Sequence, residues 1–293
     1  MKREPNMKSL YKFFVIIFLI FSFIPSLSHA DHSYFEYIKK KLIKDGFDKK
    51  YIEKIYSPES ITFEFGSTIL FFIVSEYKLD YEKFLDSEFV LKGKKYIKDH
   101  KTAFSYAKQN FNVPPEIITS ILIVETKLGA FTGNKPVLSS LSSIASLENH
   151  NIQKMVLKSI PSRKNRYTGK KFAKRAKNRA DFAYEELKKL LNFAIEYNHE
   201  TSEITGSYAG AVGIPQFMPS NIPVYGRDGD MDNKIDLLNH NDAIASVANY
   251  LKMHGWCENC GEDKKISVIL KYNKSMPYAK TVTNLSKLIG DNN

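Results

Sequence analysis

The run Val113–Gly129, VPPEIITSILIVETKLG, limits the fold more than any other stretch of this chain. Pro114 and Pro115 suit the entry to a helix, where a missing N–H costs nothing. Gly129 stands where a helix commonly stops. At about 100° per residue, Ile117, Ile118, Ile121, Leu122, Val124 and Leu128 gather on one arc. Thr119, Ser120, Thr126 and Lys127 fall on the other side, with Ile123 among them. The spacing predicts an amphipathic helix closed by Gly129. Glu125 breaks the pattern, because it falls near the middle of the apolar arc with no Lys or Arg on its face within a turn. An isolated buried carboxylate is costly, so Glu125 is paired, neutral or put to chemical use. Apolar surroundings would raise its pKa, as a general acid at neutral pH requires. The alternative is a solvated carboxylate on a helix face that borders a cleft.

The chain opens MKREPNMKSLYKFFVIIFLIFSFIPSLSHA. Lys8 and Lys12 precede an apolar run from Phe13 to Ile24, then Pro25 and Ser28-His29-Ala30. That order is expected of a cleavable secretory signal over residues 1–30. The apolar run is short for a membrane span, although an uncleaved anchor is the alternative. No Cys sits at the cleavage point, so lipid attachment there is not expected. A periplasmic protein with no membrane span after cleavage is the expectation. Cys257 and Cys260, in WCENCG, then suit a structural disulfide, with free thiols as the alternative.

Residues 31–100 read as helix-rich, with Phe35, Ile38, Leu42, Tyr51, Ile52 and Ile55 at helical spacing. The run Ile69–Val74 reads as a strand or a buried helix, and Tyr96–Asn110 as a helix. The formal net charge is +11, and Asn151–Ala180 alone carries eleven Lys and Arg residues and no acid. Only Tyr167 and Phe172 interleave with them, too few aromatics for a nucleic-acid surface. A solvated basic loop and helix is expected there, or a contact for an anionic envelope polymer. Asp181–Tyr197 follows as a helix.

Gly206–Asn221, GSYAGAVGIPQFMPSN, holds too many Gly and Pro residues for a regular element and too many apolar ones for an ordinary surface loop. Backbone lying close to a ligand would explain both. In DGDMDNKIDLLN, Asp228, Asp230 and Asp232 alternate, and Lys234 can offer a carbonyl in the manner of a calcium loop. Asn233 stands at the usual Gly position and Asn239 at the usual Glu, so Asp242 is the candidate for the missing carboxylate. The alternative is an acidic, solvated turn. Asp242–His254 is expected as a helix capped by Asp242 or Asn241, and a last helix starts at about Pro277.

Four runs in this order resemble the B-type lytic murein transglycosylases: VPPEIITSILIVETKLG, GSYAGAVGIPQFMPS, DAIASVANYLKMHGW, and Tyr272-Asn273 with Tyr278-Ala279. The region 81–98 fits more loosely. The resemblance implies a mainly α fold: a lysozyme-like helical core with a small irregular or β region and an EF-hand-like loop at 228–242. A helical region at 31–100 would pack on a catalytic domain at 101–293, with a basic insertion at 151–180. By position, Glu125 matches the family's single catalytic acid/base. Ser207, Gln216, Tyr250, Tyr272, Asn273 and Tyr278 match positions that bind saccharide. Asp228, Asp230, Asp232, Lys234 and Asp242 match the ligands of a structural calcium ion, and no cofactor serves the chemistry. One family aromatic position falls at Phe182, where members can carry Tyr.

The implied reaction is cleavage of peptidoglycan glycan strands between N-acetylmuramic acid and N-acetylglucosamine, giving a 1,6-anhydro product without water. A two-carboxylate hydrolase would need a second acid, and the Gly206–Asn221 loop has none. The partners implied are glycan strands and no nucleic acid, and the chain is expected to act as a monomer. A lysozyme-like hydrolase, a non-catalytic peptidoglycan-binding protein and a calcium-dependent binding module are the other readings.

Overall fold

The computed structural model describes residues 34–57, 59–73, 79–160 and 169–291. The predicted leader lies outside these residues, as do Val74 and the basic positions Arg163, Lys164 and Arg166. The described chain is mostly helical, with a single pair of two-residue strands among the described residues.

Apolar side chains gather into two cores. One joins helices Glu36–Lys44, Lys49–Ile55, Phe65–Ile73, Val137–Ala145, His150–Ser159 and Gly169–Glu196 through residues such as Ile38, Leu42, Leu141, Ile144 and Leu187. The other joins Ser87–Asp99, Lys101–Phe111, Pro115–Thr126, His240–Met253, Glu262–Tyr272 and Met276–Gly290 through Ile121, Leu122, Val247, Leu251 and Leu285. The helix-rich segment before residue 100 therefore divides between the two. Its run at Ile69–Val74 is helical over Phe65–Ile73. The helix expected over Tyr96–Asn110 breaks at His100, between Ser87–Asp99 and Lys101–Phe111.

Pro115 forces Pro114 into extended backbone (ψ 144°), and the helix Pro115–Thr126 starts after it. Ile118, Ile121, Leu122 and Ile123 are fully buried, each contributing about 1.5–3 kcal/mol, so this helix anchors the second core. Two expectations for it need correction. Thr119, Ser120 and Thr126 are buried as well; Ser120 donates to the Glu116 carbonyl at 2.7 Å, which removes the cost of burying it. The helix also ends at Thr126, before Gly129, because Lys127 and Leu128 already take left-handed backbone (φ 52° and 62°). Leu128 N–H closes the turn on the Leu122 carbonyl at 3.0 Å.

The basic stretch forms the helix His150–Ser159 and the first part of one 28-residue helix, Gly169–Glu196. Phe172, Ala176 and Ala180 are buried along one face of that helix, and Lys170, Lys171, Lys174 and Lys177 are exposed. The helix His240–Met253 is capped by Asn239, whose side chain accepts from Asn241 N–H, and not by Asp242 or Asn241. The last helix starts at Met276.

The Gly-rich loop lies on the seam between the cores. Val212 and Phe217 face the first core and Ile214 faces the second, which accounts for its apolar composition. Val212 and Phe217 pair through two backbone hydrogen bonds at 2.8 and 3.1 Å. Lys135–Pro136 pairs antiparallel with Thr205–Gly206 and ties the chain after Glu125 to the start of this loop.

Candidate active site

Glu125 sits in the last turn of its helix, where the helix dipole gives no stabilisation to an anion. The hydroxyl of Tyr278, 1% exposed, donates to Glu125 Oε1 at 2.7 Å. Burial and then the negative charge of Glu125 push the Tyr278 phenol far above its ordinary range, so it stays a donor. Tyr81 stands edge-on against Tyr278 with ring centroids 5.7 Å apart and holds its plane. Tyr81 carried no distinct sequence signal, because it lies in the region that fits the family loosely.

Tyr272 is pushed up in the same way, by burial and then by Glu125. Its hydroxyl donates to the Pro215 carbonyl at 2.5 Å, joining the end of one helix to the Gly-rich loop. Tyr250 is set further back. Its hydroxyl donates to the Lys271 carbonyl at 2.7 Å, and its ring stacks on His254 with centroids 4.1 Å apart. Burial and then Tyr225 push its phenol up to about 12. Asn273 ends the Glu262–Tyr272 helix, and its Oδ1 accepts from Ser275 N–H at 3.1 Å. The turn it makes places Tyr272 and Tyr278 on either side of it.

Thr126 Oγ1 donates to the Ile214 carbonyl at 2.9 Å and accepts from Gly129 N–H at 3.0 Å. The residue next to Glu125 is thereby locked to the Gly-rich loop. In that loop Gln216 has left-handed backbone (φ 52°), and its Nε2 donates to the carbonyls of Thr132 and Gly213 at 3.0 and 2.8 Å. Ser207 Oγ accepts from Ala211 N–H at 3.1 Å. Both line a cavity of about 900 Å³ whose walls include Phe63, Glu64, Phe131 and Lys135. Glu125, Tyr250, Tyr272, Asn273 and Tyr278 are not in that lining. The expected residues thus form two adjoining groups: Glu125 with its tyrosines, and Ser207 with Gln216 on the cavity wall. Pro215 and Gln216 join them. Phe182 lies exposed on the long helix.

In the acidic loop, ligand oxygens of Asp228, Asp230 and Asp242 come within 4.8 Å of one another. Asp232 is outside this group, with its Oδ1 accepting from Lys234 N–H at 2.8 Å. Asn233 takes left-handed backbone (φ 68°) in place of the usual Gly. Burial pushes Asp228 up, but N–H donors from Asn233, Met231 and Asp232 outweigh it and hold its carboxyl below the usual range. Asp242, 1% exposed, is raised by burial and by the charges of Asp230 and Asp228, against N–H donors from Gly229 and Asp236. Among the described residues none of the three makes an ion pair. Three converging carboxylates, one of them buried, fit a hard cation such as calcium. Cys257 and Cys260 are joined in a disulfide.

The profile of the "Transglycosylase SLT domain" matches residues 30–267. A curated relative, membrane-bound lytic murein transglycosylase B of Escherichia coli strain K12, is 32% identical over 175 residues, 60% of this chain and 41% of that protein. The match therefore spans less than half the length of that relative. Among solved structures, the lytic transglycosylase Slt35 of Escherichia coli in complex with calcium superposes with TM-score 0.68 and 22% identity, over 90% of this chain and 94% of that one. SltB3 of Pseudomonas aeruginosa in complex with NAG-anhNAM-pentapeptide gives TM-score 0.67 and 20% identity, over 87% and 78%. At these identities the two structures speak to the fold, which is the lysozyme-like helical one.

Proposed function

The chain belongs to the transglycosylase SLT domain family, and we propose that it cleaves peptidoglycan glycan strands non-hydrolytically. The observation that carries this reading is the Glu125–Tyr278 pair, held on two helices of the second core beside the Gly-rich loop. Glu125, in its protonated form, donates its proton to the oxygen bridging N-acetylmuramic acid and N-acetylglucosamine. The substrate's own N-acetyl oxygen stabilises the charge that grows at the anomeric carbon. The Glu125 carboxylate then takes the proton of the sugar's C6 hydroxyl, which closes on that carbon to give 1,6-anhydromuramic acid. One residue serves as acid and then base. The Tyr278 hydroxyl donates to Oε1 and fixes the orientation of the carboxyl group.

Ser207 and Gln216 hold acetamido and hydroxyl groups of the sugar, and Asn273 with Tyr250 and Tyr272 shapes the adjoining wall. Glu64, the carboxylate in the cavity lining, favours a hydrolase as the second reading, in which it would serve as the second acid. Its ion pair with Lys135 at 2.9 Å opposes that role. The leader-like opening supports action in the periplasm. No helix among the described residues is long and apolar enough to cross a membrane. The reading is tested on purified murein. Wild type releases soluble muropeptides; a protein that binds the sacculus without releasing any would be a binding module. Tyr278→Phe should lower kcat roughly 10- to 100-fold, the worth of a hydrogen bond to a charged group, with little change in KM.

Calcium held by Asp228, Asp230 and Asp242 would brace the loop that precedes the His240–Met253 helix, with Asp232 and the Lys234 carbonyl as further candidates. The complex of Slt35 with calcium supports this. Saturating calcium should raise Tm by about 5–10 °C over chelator, and Asp242→Asn should abolish the difference. Because the Asp242 carboxyl is raised, protons compete with the ion there, and affinity should fall as pH falls. Equal Tm of the wild type in calcium and in chelator would end the proposal.

A further inference from the structure

The cavity beside Ser207 and Gln216 has a chemistry that sugar binding alone does not use. Phe63, Phe65 and Phe131 give it aromatic walls. Among the described residues, Glu64 and Lys135 are its charged lining. Lys135 Nζ lies 3.2 and 2.9 Å from the two carboxylate oxygens of Glu64, and the side chains are 35% and 13% exposed. These two charges cancel each other.

Both charges are fixed from separate parts of the backbone. Glu64 N–H donates to Ser143 Oγ at 2.8 Å and Thr62 N–H to Ser139 Oγ at 3.2 Å. The buried helix Val137–Ala145 thus uses two serines to hold the 62–64 segment. Lys135 is held by its strand pairing with Gly206. With the backbone secured in this way, a partly exposed ion pair would add only about 0–1 kcal/mol of stability. A ligand bearing one ammonium and one carboxylate can enter the pair without leaving either protein charge uncompensated: the ammonium meets Glu64 and the carboxylate meets Lys135.

We propose that this cavity recognises the zwitterionic amino-acid end of a peptide arm on the glycan strand, with the arm's aliphatic portion lying against Phe63, Phe65 and Phe131. The proposal rests on the lytic reading above and adds a determinant of substrate choice to it. Ser207 and Gln216 lie in the same lining, so a strand seated on them carries its arm to the ion pair. At about 900 Å³ the cavity is within the size range of small-ligand sites.

The test compares kcat/KM on three preparations of murein strands. The first bears peptide arms ending in diaminopimelate, the second the same arms with that free carboxylate amidated, and the third strands stripped of peptide by an amidase. Wild type should favour the first roughly tenfold or more, the worth of one charge-assisted hydrogen bond. Glu64→Gln and Lys135→Met should each bring the ratio close to one. The double variant Glu64→Lys, Lys135→Glu restores an ion pair, so its Tm should match wild type while its ratio stays close to one. A structural role alone predicts that the swap restores both. Equal kcat/KM of wild type on all three preparations, or single variants that keep the wild-type ratio, would overturn this site alone. Cleavage of none of the three would overturn the lytic reading and this site with it.

Discussion

Glu125→Gln is expected to cut the release of muropeptides about 10³-fold or more, because it removes the proton donor and the base of the same reaction; general acid–base catalysis alone accounts for about 10²- to 10⁴-fold. Glutamine matches glutamate in shape and keeps an oxygen that accepts from the Tyr278 hydroxyl. Glu125 is only half-buried, so the exchange should leave Tm within a few degrees of wild type by the usual scale of such changes (~0.5 kcal/mol). Binding to murein should survive, since Ser207 and Gln216 are untouched. Circular dichroism, a pelleting assay and release of soluble fragments, measured on one preparation, check all three statements. Near wild-type release by this variant would remove Glu125 from the chemistry.

Gly133→Ala should be the most damaging substitution outside the acid itself. Gly133 has φ +93°, and a Cβ there would lie 2.0 Å from the Gly206 carbonyl oxygen, 2.3 Å from its carbon and 2.7 Å from Ser207 N. All three neighbours are backbone, so no side chain can rotate away. An L-residue in left-handed backbone costs about 1–2 kcal/mol before any clash, and separating the two segments adds an overpacking cost of about 1–3 kcal/mol. A loss of roughly 3 kcal/mol would lower Tm by about 6–12 °C. The separation would also pull Ser207 and Gln216 from the loop that follows Glu125, because Gln216 is tied to Thr132. Activity should therefore fall even at temperatures where the variant is folded. A thermal melt and a murein-release assay on the same sample would measure both, and unchanged values in both would show that the two segments are not in this contact.

The helix bearing Glu125 was legible because its start is written locally, in Pro114 and Pro115. Its end was not. Lys127 and Leu128 turn left-handed next to Thr126, whose hydroxyl bonds to Ile214, 88 residues away. Polarity also misled on exposure, since Ser120 satisfies itself on its own helix. Asp228 and Asp230 were legible from their alternation along one loop, and Asp242, in the first turn of the following helix, from its place at the fifteenth position. The direction in which Asp232 points was not. Tyr278 was found only through the family's ordered motif, as its partner Glu125 lies 153 residues earlier. Glu64 and Lys135 belong to no motif, and the fold alone brings them together across 71 residues. A helix was expected in the basic stretch, but its buried face, marked by Phe172, Ala176 and Ala180, was hidden by the surrounding charge.

In the proposed reaction Glu125 works without a second carboxylate and without water. Digestion of murein in water enriched in heavy oxygen, followed by mass spectrometry of the new ends, tests it most directly. Muropeptides ending in 1,6-anhydromuramic acid are expected, one water lighter than reducing ends and free of the isotope. Reducing ends that carry the heavy oxygen would contradict the proposed reaction and identify a hydrolase.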